Sequence, residues 1–343
     1  MKTATVIGIN KYGHGSDLSG CVNDAHDWQK LLTSMGYNVH LLLDGDATKD
    51  RIQRSIRTTM DALAPGEVGV VTYSGHGSWV KADNDEGDNE SDGRDEVLVP
   101  SDAMSDAGNL LRDDEIAVLM QNRPTGTEVF FTADACFSGT AMRMLSDCPG
   151  NPVMHRFIPP SRWFSYDEVY RINKHARVTR NRVVAVPGVV YISGCSDAQY
   201  SADASFEGRY NGAQTYYLLR SIRELSEEAG TYENIYNILR TYLPSRSYDQ
   251  VPELHCEDKA RGQKFLSMDT ARKNKLKPAP SNLAETVFDV MVECGKWGLN
   301  GWTEAYKMRD HFFEVWPHHD YQARIEIAVA DDRAARIKAS REV

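Results

Sequence analysis

Short apolar runs alternate with segments of helical periodicity along the first part of the chain. The apolar runs, which are rich in β-branched and aromatic residues, lie at 3–10, 37–43, 68–74 and 127–134. Between them, apolar positions recur every three or four residues at about 21–36, 48–63 and 113–121. Because strands that alternate with helices pack into parallel sheets covered on both faces, this pattern predicts an α/β fold with a mostly parallel central sheet.

The pattern continues less regularly towards the C-terminus. It predicts a strand at 188–195, helices at about 212–229 and 231–243, and a last strand near 262–268. The stretch 269–282 has the composition of a linker, and residues 283–343 are predicted to form a small, mostly helical accessory module. We therefore expect one domain over 1–268 followed by this C-terminal extension.

Composition and charge restrict the class of protein. The 343 residues are 41% apolar and 26% charged, which is typical of a globular protein. The formal net charge of −10 argues against a nucleic-acid partner, because phosphates require a positive field. We expect no membrane partner, since no run approaches the length of a transmembrane helix. The absence of a secretory signal pattern and six scattered cysteines without a C-x-x-C pair predict a cytoplasmic protein.

Two polar segments interrupt the alternation of strands and helices. The stretch 81–96 is strongly acidic. The connection 141–187 is unusually long and basic, with eight arginines and lysines against three acidic residues. Long connections inside a compact domain are usually functional or disordered. The alternative for the basic connection is an ordinary cationic surface insertion.

Two strand ends carry the candidate chemistry. His76 follows the strand 68–74 between two glycines, and Cys136 follows the strand 127–134. The carboxyl ends of adjacent parallel strands are where sites form in open sheets, so a cysteine–histidine dyad is expected there. The backbone N–H groups of Gly77 and Cys136 are the expected donors to the oxyanion of an attacked carbonyl. For either residue alone, a buried core thiol or a turn histidine is the alternative interpretation.

Five stretches resemble the metacaspase/orthocaspase branch of the caspase-fold cysteine peptidases (clan CD, family C14). The stretches, in the order of that family, are LSGCVNDAHDWQKLL, YSGHGS, DEVLVPSD, DACFSGT and GVVYISGCSDAQYSAD. The resemblance covers about residues 1–268. It implies a three-layer caspase-like sandwich and a thiol peptidase with His76 and Cys136 as its catalytic pair.

The resemblance also implies a pocket for a basic side chain. Metacaspases cleave after arginine or lysine, and the positions that match their first specificity pocket are Cys21, Asp24, Ser74 and Asp134. In an extended strand, residues two apart face the same side, so Asp134 is expected beside Cys136. Two carboxylates without a cationic partner in the protein suit a guanidinium. The alternatives are a favourable helix-start charge for Asp24 and a capped strand end for Asp134.

The resemblance leaves calcium dependence open. Asp102, Asp113 and Asp114 match the calcium-binding positions of many metacaspases, but the fourth position is occupied by Arg143. A cation there conflicts with the several oxygen ligands that calcium prefers. The acidic stretch 88–99 begins like an EF-hand loop but has Val99 where the bidentate glutamate is expected, so a solvated loop is the alternative.

Self-processing is expected from the same resemblance, whereas a docking role for 283–343 is expected from its aromatic residues, which could instead form a small core or dock onto the catalytic domain. The basic connection 141–187 occupies the place of the caspase-type intersubunit linker, so a zymogen that processes itself there is expected. The module 283–343 is a candidate docking site for an activating protein partner, and the enzyme is expected to be a monomer whose substrates are proteins or peptides with Arg or Lys at the cleavage site. The alternatives are a catalytically silent caspase-like scaffold and a thiol transpeptidase that ligates peptides.

Overall fold

The computed structural model describes residues 2–81, 94–137, 154–175, 186–194, 201–206, 208–225, 230–245 and 248–267. The predicted linker 269–282 and accessory module 283–343 lie outside the described residues. So do Arg143 and most of the acidic stretch 81–96.

A six-stranded central sheet forms the middle layer, as the strand–helix alternation predicts. Its order is β12-β9-β7-β3-β1-β2, and every neighbouring pair is parallel except the edge pair β12 and β9. These strands are β1 (Thr3–Gly8), β2 (Asn38–Leu43), β3 (Val68–Ser74), β7 (Glu128–Asp134), β9 (Val189–Ser193) and β12 (Glu253–His255).

Helices cover both faces of this sheet, which gives the expected three-layer α/β sandwich. The helices are α1 (Cys21–Ser34), α2 (Lys49–Asp61), α3 (Asp113–Gln121), α4 (Tyr166–His175), α5 (Ala213–Glu224), α6 (Tyr232–Tyr242) and α7 (Asp258–Arg261). The apolar residues of α2 and α3 belong to one core cluster, and those of α1, α5 and α6 belong to the other.

The two cores explain why the central strands are apolar throughout. Consecutive residues of a strand face opposite sides of the sheet. Val70 of β3 and Phe130 of β7 accordingly pack in the cluster with α1, α5 and α6, whereas Val71 and Phe131 pack in the cluster with α2 and α3. A strand buried on both faces has no polar alternation, so its pattern is a continuous apolar run.

Two small antiparallel sheets accompany the central one. The first contains β4 (Gly77–Lys81), β5 (Arg94–Leu98) and β6 (Leu111–Arg112), and the second contains β8 (Met154–His155), β10 (Ala202–Phe206) and β11 (Arg209–Gly212). A parallel bridge between Gly77 and Phe157 joins the start of β4 to the residues that follow β8. The basic connection therefore crosses the end of β3, where the candidate dyad lies.

The predicted last strand near 262–268 is wrong. The edge strand of the sheet is β12, which pairs with β9, and residues 262–267 form no strand. Leu266 has a φ of 53°, which lies outside the extended region. Leu266 and Phe265 pack in the core cluster with α5 and α6. The apolar run that suggested a strand therefore reflects the burial of these side chains alone.

No helix in the described ranges combines the length and the apolar character that crossing a bilayer requires.

Candidate active site

The register of the two central strands places the predicted dyad at one edge of the sheet. Ser74, the last residue of β3, is the parallel partner of Asp134, the last residue of β7. His76 and Cys136 each follow two residues later, and both are buried. The two strands whose ends carry His76 and Cys136 are therefore direct neighbours in the sheet.

A backbone carbonyl sets the orientation of His76. Its Nε2 atom lies 2.8 Å from the carbonyl oxygen of Ser16. Since a carbonyl only accepts hydrogen bonds, Nε2 carries the proton and Nδ1 is the free acceptor. The buried Nδ1 makes no hydrogen bond to any described residue. Burial lowers the pKa of His76 to about 4, so the ring is neutral and Nδ1 is available as a base.

The thiol of Cys136 points towards a different neighbour. Its Sγ accepts a hydrogen bond from the backbone N–H of Ser201 at 2.5 Å and lies 3.6 Å from the carbonyl oxygen of the same residue. Within the described residues, Cys136 and His76 therefore form no hydrogen bond with each other.

The carbonyl oxygen of Arg156 lies between the two expected oxyanion donors. It accepts hydrogen bonds from the backbone N–H of Gly77 at 3.0 Å and from that of Cys136 at 3.1 Å. The backbone N–H of Arg156 donates to the carbonyl oxygen of Ser201 at 3.1 Å. The carbonyl group of the Arg156–Phe157 peptide bond is thus held by the two N–H groups that the sequence predicts as oxyanion donors.

The side chain of Arg156 is completely buried among three carboxylates. Nη2 lies 2.7 Å from Asp24 Oδ2 and 3.0 Å from Asp203 Oδ1, and Nη1 lies 3.2 Å from Asp134 Oδ2. Nη1 also donates to Ser74 Oγ at 2.6 Å. Three of the four predicted pocket residues, Asp24, Ser74 and Asp134, are therefore brought together around one guanidinium.

Cys21, the fourth predicted pocket residue, lies at the start of α1, one helical turn before Asp24. Its thiol is buried, and burial raises the pKa of that thiol well above its usual value. It makes no hydrogen bond or ion pair to Arg156.

Neighbouring backbone and side-chain donors hold the carboxylates of Asp24 and Asp134 in place. Asp24 Oδ1 accepts hydrogen bonds from Asn211 Nδ2 at 2.8 Å and from the backbone N–H of Gly212 at 3.0 Å. Asp134 Oδ2 accepts from both the N–H and the hydroxyl of Thr215 at 2.8 Å. These donors fix two carboxylates in positions that converge on the pocket rather than on solvent.

The electrostatics of the pocket are those of three carboxylates around one guanidinium. Burial raises the pKa of Asp24 to about 6, and the opposing effect of Arg156 only partly offsets it. Burial alone would lower the pKa of Arg156, but the nearby carboxylates outweigh it and the pKa is raised well above its usual value. Three carboxylates around a single guanidinium therefore stabilise the charged form of Arg156.

Sequence reasoning missed four residues of this site. Ser16 acts through its backbone, which no side-chain pattern reveals. Gly212 was not noticed, although an added Cβ there would overlap the carboxylate of Asp134 and the guanidinium of Arg156. Asp203 lies inside the family-like stretch 188–203, where an acidic residue in a buried strand was an available signal. Arg156 was one of eight basic residues in the connection, and nothing local distinguishes it.

The predicted calcium positions do not form a metal-binding group in the part of the chain that is described. Asp102 accepts a hydrogen bond from the backbone N–H of Lys49 at 3.0 Å, and Asp113 and Asp114 begin α3. No group of three or more potential metal ligands occurs among the described residues. Arg143 lies outside them, so calcium dependence stays a prediction.

Comparisons with known proteins agree with the geometry. The caspase domain of peptidase family C14 matches residues 1–261. Metacaspase-1 of Scheffersomyces stipitis is 30% identical over 297 residues, which cover 74% of this chain and 70% of that protein. Metacaspase-1 of Meyerozyma guilliermondii is 27% identical over 291 residues, covering 74% and 68%. A crystal structure of protein GSU0716 from Geobacter sulfurreducens has a TM-score of 0.57 at 26% identity and covers 78% of this chain and 99% of that one.

Proposed function

Because the chain belongs to the caspase-domain family of cysteine peptidases, we propose that it is an endopeptidase that cleaves after arginine or lysine, with Cys136 as nucleophile and His76 as base. Its substrates are proteins or peptides with a basic residue before the cleaved bond. The observation that carries the proposal is Arg156, which fills the acidic pocket with its side chain and the two backbone donors with its carbonyl oxygen.

The chemistry follows from the neutral state of His76. Its Nδ1 takes the proton of Cys136, and the thiolate attacks the substrate carbonyl carbon. The backbone N–H groups of Gly77 and Cys136 stabilise the oxyanion. One such donor typically lowers the activation free energy by about 3–4 kcal/mol. The histidine then protonates the leaving amine. Water hydrolyses the remaining thioester and regenerates the thiol.

The pocket favours arginine over lysine. The two terminal guanidinium nitrogens of Arg156 reach different partners, one towards Asp24 and Asp203 and the other towards Ser74 and Asp134. A lysine ammonium is a single point charge and cannot contact both groups at once. Loss of one charge-assisted hydrogen bond costs about 1.5–3 kcal/mol, so we expect arginine to be preferred over lysine by about 10- to 100-fold.

Self-processing in the basic connection is part of the proposal, and the bond is Arg156–Phe157. The residues before it enter as a strand, because Met154 and His155 pair antiparallel with Asp203 and Ala202 of β10. An extended peptide added to a sheet edge is a common mode of substrate recognition. In the intact chain Arg156 blocks the pocket, which supports a zymogen whose opening by a partner at 283–343 is a further prediction.

Purified protein with three reporter peptides tests the proposal. The peptides differ only at the cleaved residue, which is Arg, Lys or Asp, and each is incubated with and without calcium. The control is Cys136→Ala, which keeps the pocket and removes the nucleophile. We expect cysteine-dependent cleavage after Arg, weaker cleavage after Lys and none after Asp. The calcium arm decides whether the ion is needed.

Three results would contradict the proposal. Cleavage that survives in Cys136→Ala would assign the chemistry to another residue. Silence of the wild type on all three peptides, with and without calcium, combined with an intact Arg156–Phe157 bond after long incubation, would favour the catalytically silent scaffold. A product longer than the substrate would favour the transpeptidase alternative.

A further inference from the structure

We infer that Gly77, Ser78 and the apolar core beside them form a second binding site, for the peptide segment that follows the cleaved bond. This primed-side site takes an extended segment whose second residue after the bond is aliphatic. In the intact chain, residues 157–164 occupy it. The inference rests on the proposed function, because it defines the site relative to the bond that the enzyme cuts.

Backbone hydrogen bonds define the first part of the primed-side site. The N–H of Ile158 donates to the carbonyl oxygen of Gly77 at 3.0 Å, and the hydroxyl of Ser78 donates to the carbonyl oxygen of Ile158 at 2.6 Å. Gly77 thus donates its N–H to the residue before the bond and accepts from the second residue after it. Hydrogen bonds to Gly77 therefore fix the position of the peptide both before and after the bond to be cleaved.

A side-chain contact defines the second part. Ile158 is 3% exposed and belongs to the core cluster that contains Val80 of β4 and Val97 of β5. Phe157, the first residue after the bond, is only partly buried. Selectivity is therefore expected at the second position, where a charged side chain would have to enter an apolar core without a partner.

A third attachment holds the rest of the segment. The indole Nε1 of Trp163 donates to the carbonyl oxygen of Ala103 at 2.8 Å. Trp163 and Phe164 also pack against the same core cluster as Ile158. The segment 157–164 is therefore held both at Ile158 and at Trp163–Phe164. Neither attachment depends on the Arg156–Phe157 bond.

This anchoring has a chemical consequence for self-cleavage. Attack by the Cys136 thiolate breaks the C–N bond, forms a thioester at the Arg156 carbonyl and leaves Phe157 with a free amine. Because 157–164 stays bound, that amine remains beside the thioester. Its attack re-forms the amide and returns the thiol, whereas attack by water gives a carboxylate at Arg156. Retention of the amine therefore opposes hydrolysis and keeps the primed-side site filled.

An acyl-transfer experiment tests the site directly. The full chain, after self-cleavage has reached its end point, is given an Arg reporter peptide together with an acceptor amine, either Phe-Ile-Pro-amide or Phe-Asp-Pro-amide. Mass spectrometry measures how much acyl group goes to the acceptor and how much to water. The variants are Ile158→Asp and Ser78→Ala, which loosen the chain's own segment. Tyr166→Asp, at a side chain that is 77% exposed, is the matched control.

In Ile158→Asp the vacated site should accept the free peptide, with transfer to Phe-Ile-Pro-amide exceeding transfer to Phe-Asp-Pro-amide by about 10-fold or more, the discrimination typical of an apolar pocket. Ser78→Ala should show the same preference, and it serves if Ile158→Asp does not fold. Tyr166→Asp should behave like the wild type, with little transfer to either acceptor.

Equal transfer to both acceptors in the two loosened variants, with Arg cleavage retained, would overturn the primed-side site and leave the proposed function standing. Equal and efficient transfer in wild type would overturn the claim that residues 157–164 stay bound after cleavage. Absence of Arg cleavage in wild type and in every variant would instead overturn the proposed function, and the primed-side inference would fall with it.

Discussion

The backbone nitrogen of Cys136 lies 3.1 Å from the carbonyl oxygen of Arg156, in a direct hydrogen bond. The candidate nucleophile is therefore bonded, through its own main chain, to the carbonyl that it is proposed to attack. Because the Arg156 side chain also lies among the three carboxylates, the proposed catalytic groups and the proposed substrate residue belong to one arrangement. The predictions that follow each disturb one part of it.

The identity of residue 156 should control self-cleavage. Arg156→Lys keeps the charge and loses the fork of two terminal nitrogens, so we expect cleavage to slow by about 10- to 100-fold, the cost of a lost charge-assisted hydrogen bond. Arg156→Gln should abolish it. Intact mass and N-terminal sequencing measure the product that begins at Phe157. Arg57→Gln, at an exposed arginine of α2 outside the bound segment, is the control and should leave the rate unchanged. A main product that begins elsewhere would contradict the assignment.

Gly212 should determine whether an arginine fits. A Cβ at this position would overlap the guanidinium of Arg156 and the carboxylate of Asp134. We expect Gly212→Ala to lower kcat/KM for an Arg reporter by about 10- to 100-fold, as overpacking of a tight site does. Gly262→Ala is the matched control, because nothing lies within 4 Å of its added Cβ. Alkylation of Cys136 should remain, and an unchanged kcat/KM in Gly212→Ala would refute this geometry of the pocket.

The pH dependence of self-cleavage should have two separate limbs. Burial raises the pKa of Asp24 to about 6, so its carboxylate is protonated as the pH falls below that value and Arg156 loses one partner. The rate should then fall by up to about tenfold per pH unit, the limit for a single proton. Burial lowers the pKa of His76 to about 4, so the base stays neutral until the pH approaches that value.

Asp24→Asn separates these limbs. The variant should cleave more slowly at pH 8, but the fall near pH 6 should disappear because the titrating carboxyl is gone. Rate constants for the conversion of intact to cut chain, measured for wild type and variant from about pH 3.5 to 8, cover both limbs. If the limb near pH 6 persists in Asp24→Asn, another group is responsible for it.

Removal of Arg156 should destabilise the fold as well as the bound segment. In a Cys136→Ala background, which prevents cleavage, Arg156→Ala leaves three buried carboxylates without their cation. Breaking a buried ion pair typically costs about 3–5 kcal/mol of the free energy of unfolding. The loss should be greatest at pH 8 and smaller at pH 5, because Asp24 takes up a proton there and relieves the repulsion. Urea titrations at the two pH values measure this, and equal losses would contradict the account.

The strand ends that carry His76 and Cys136 were predictable because they depend on local patterns. A continuous apolar run followed by a glycine-flanked histidine or by a cysteine indicates a buried parallel strand and the end at which its site lies. The pocket residues Asp24, Ser74 and Asp134 came instead from the resemblance to the metacaspase motifs, and the offset of two residues along a strand only supported the place of Asp134 beside Cys136.

Arg156 and Asp203 were not predictable from the same rules. They meet because β8 and β10 pair across a connection of more than forty residues, and antiparallel pairing between distant short strands has no local periodicity. The strand predicted near 262–268 was wrong for a related reason. Leu266 and Phe265 are buried, which gives an apolar run in the sequence, but the backbone there is not extended.

Arg156 follows Cys136 by twenty positions in a single polypeptide. Occupation of the pocket is therefore unimolecular, and it responds neither to dilution nor to how much of the protein a cell makes. An outside substrate competes with a tethered arginine whose effective concentration, for a short linker, is on the order of millimolar. For the proposed self-processing enzyme, the strength with which 154–164 is bound would therefore determine when other proteins are cleaved, and the conversion of intact to cut chain would follow first-order kinetics.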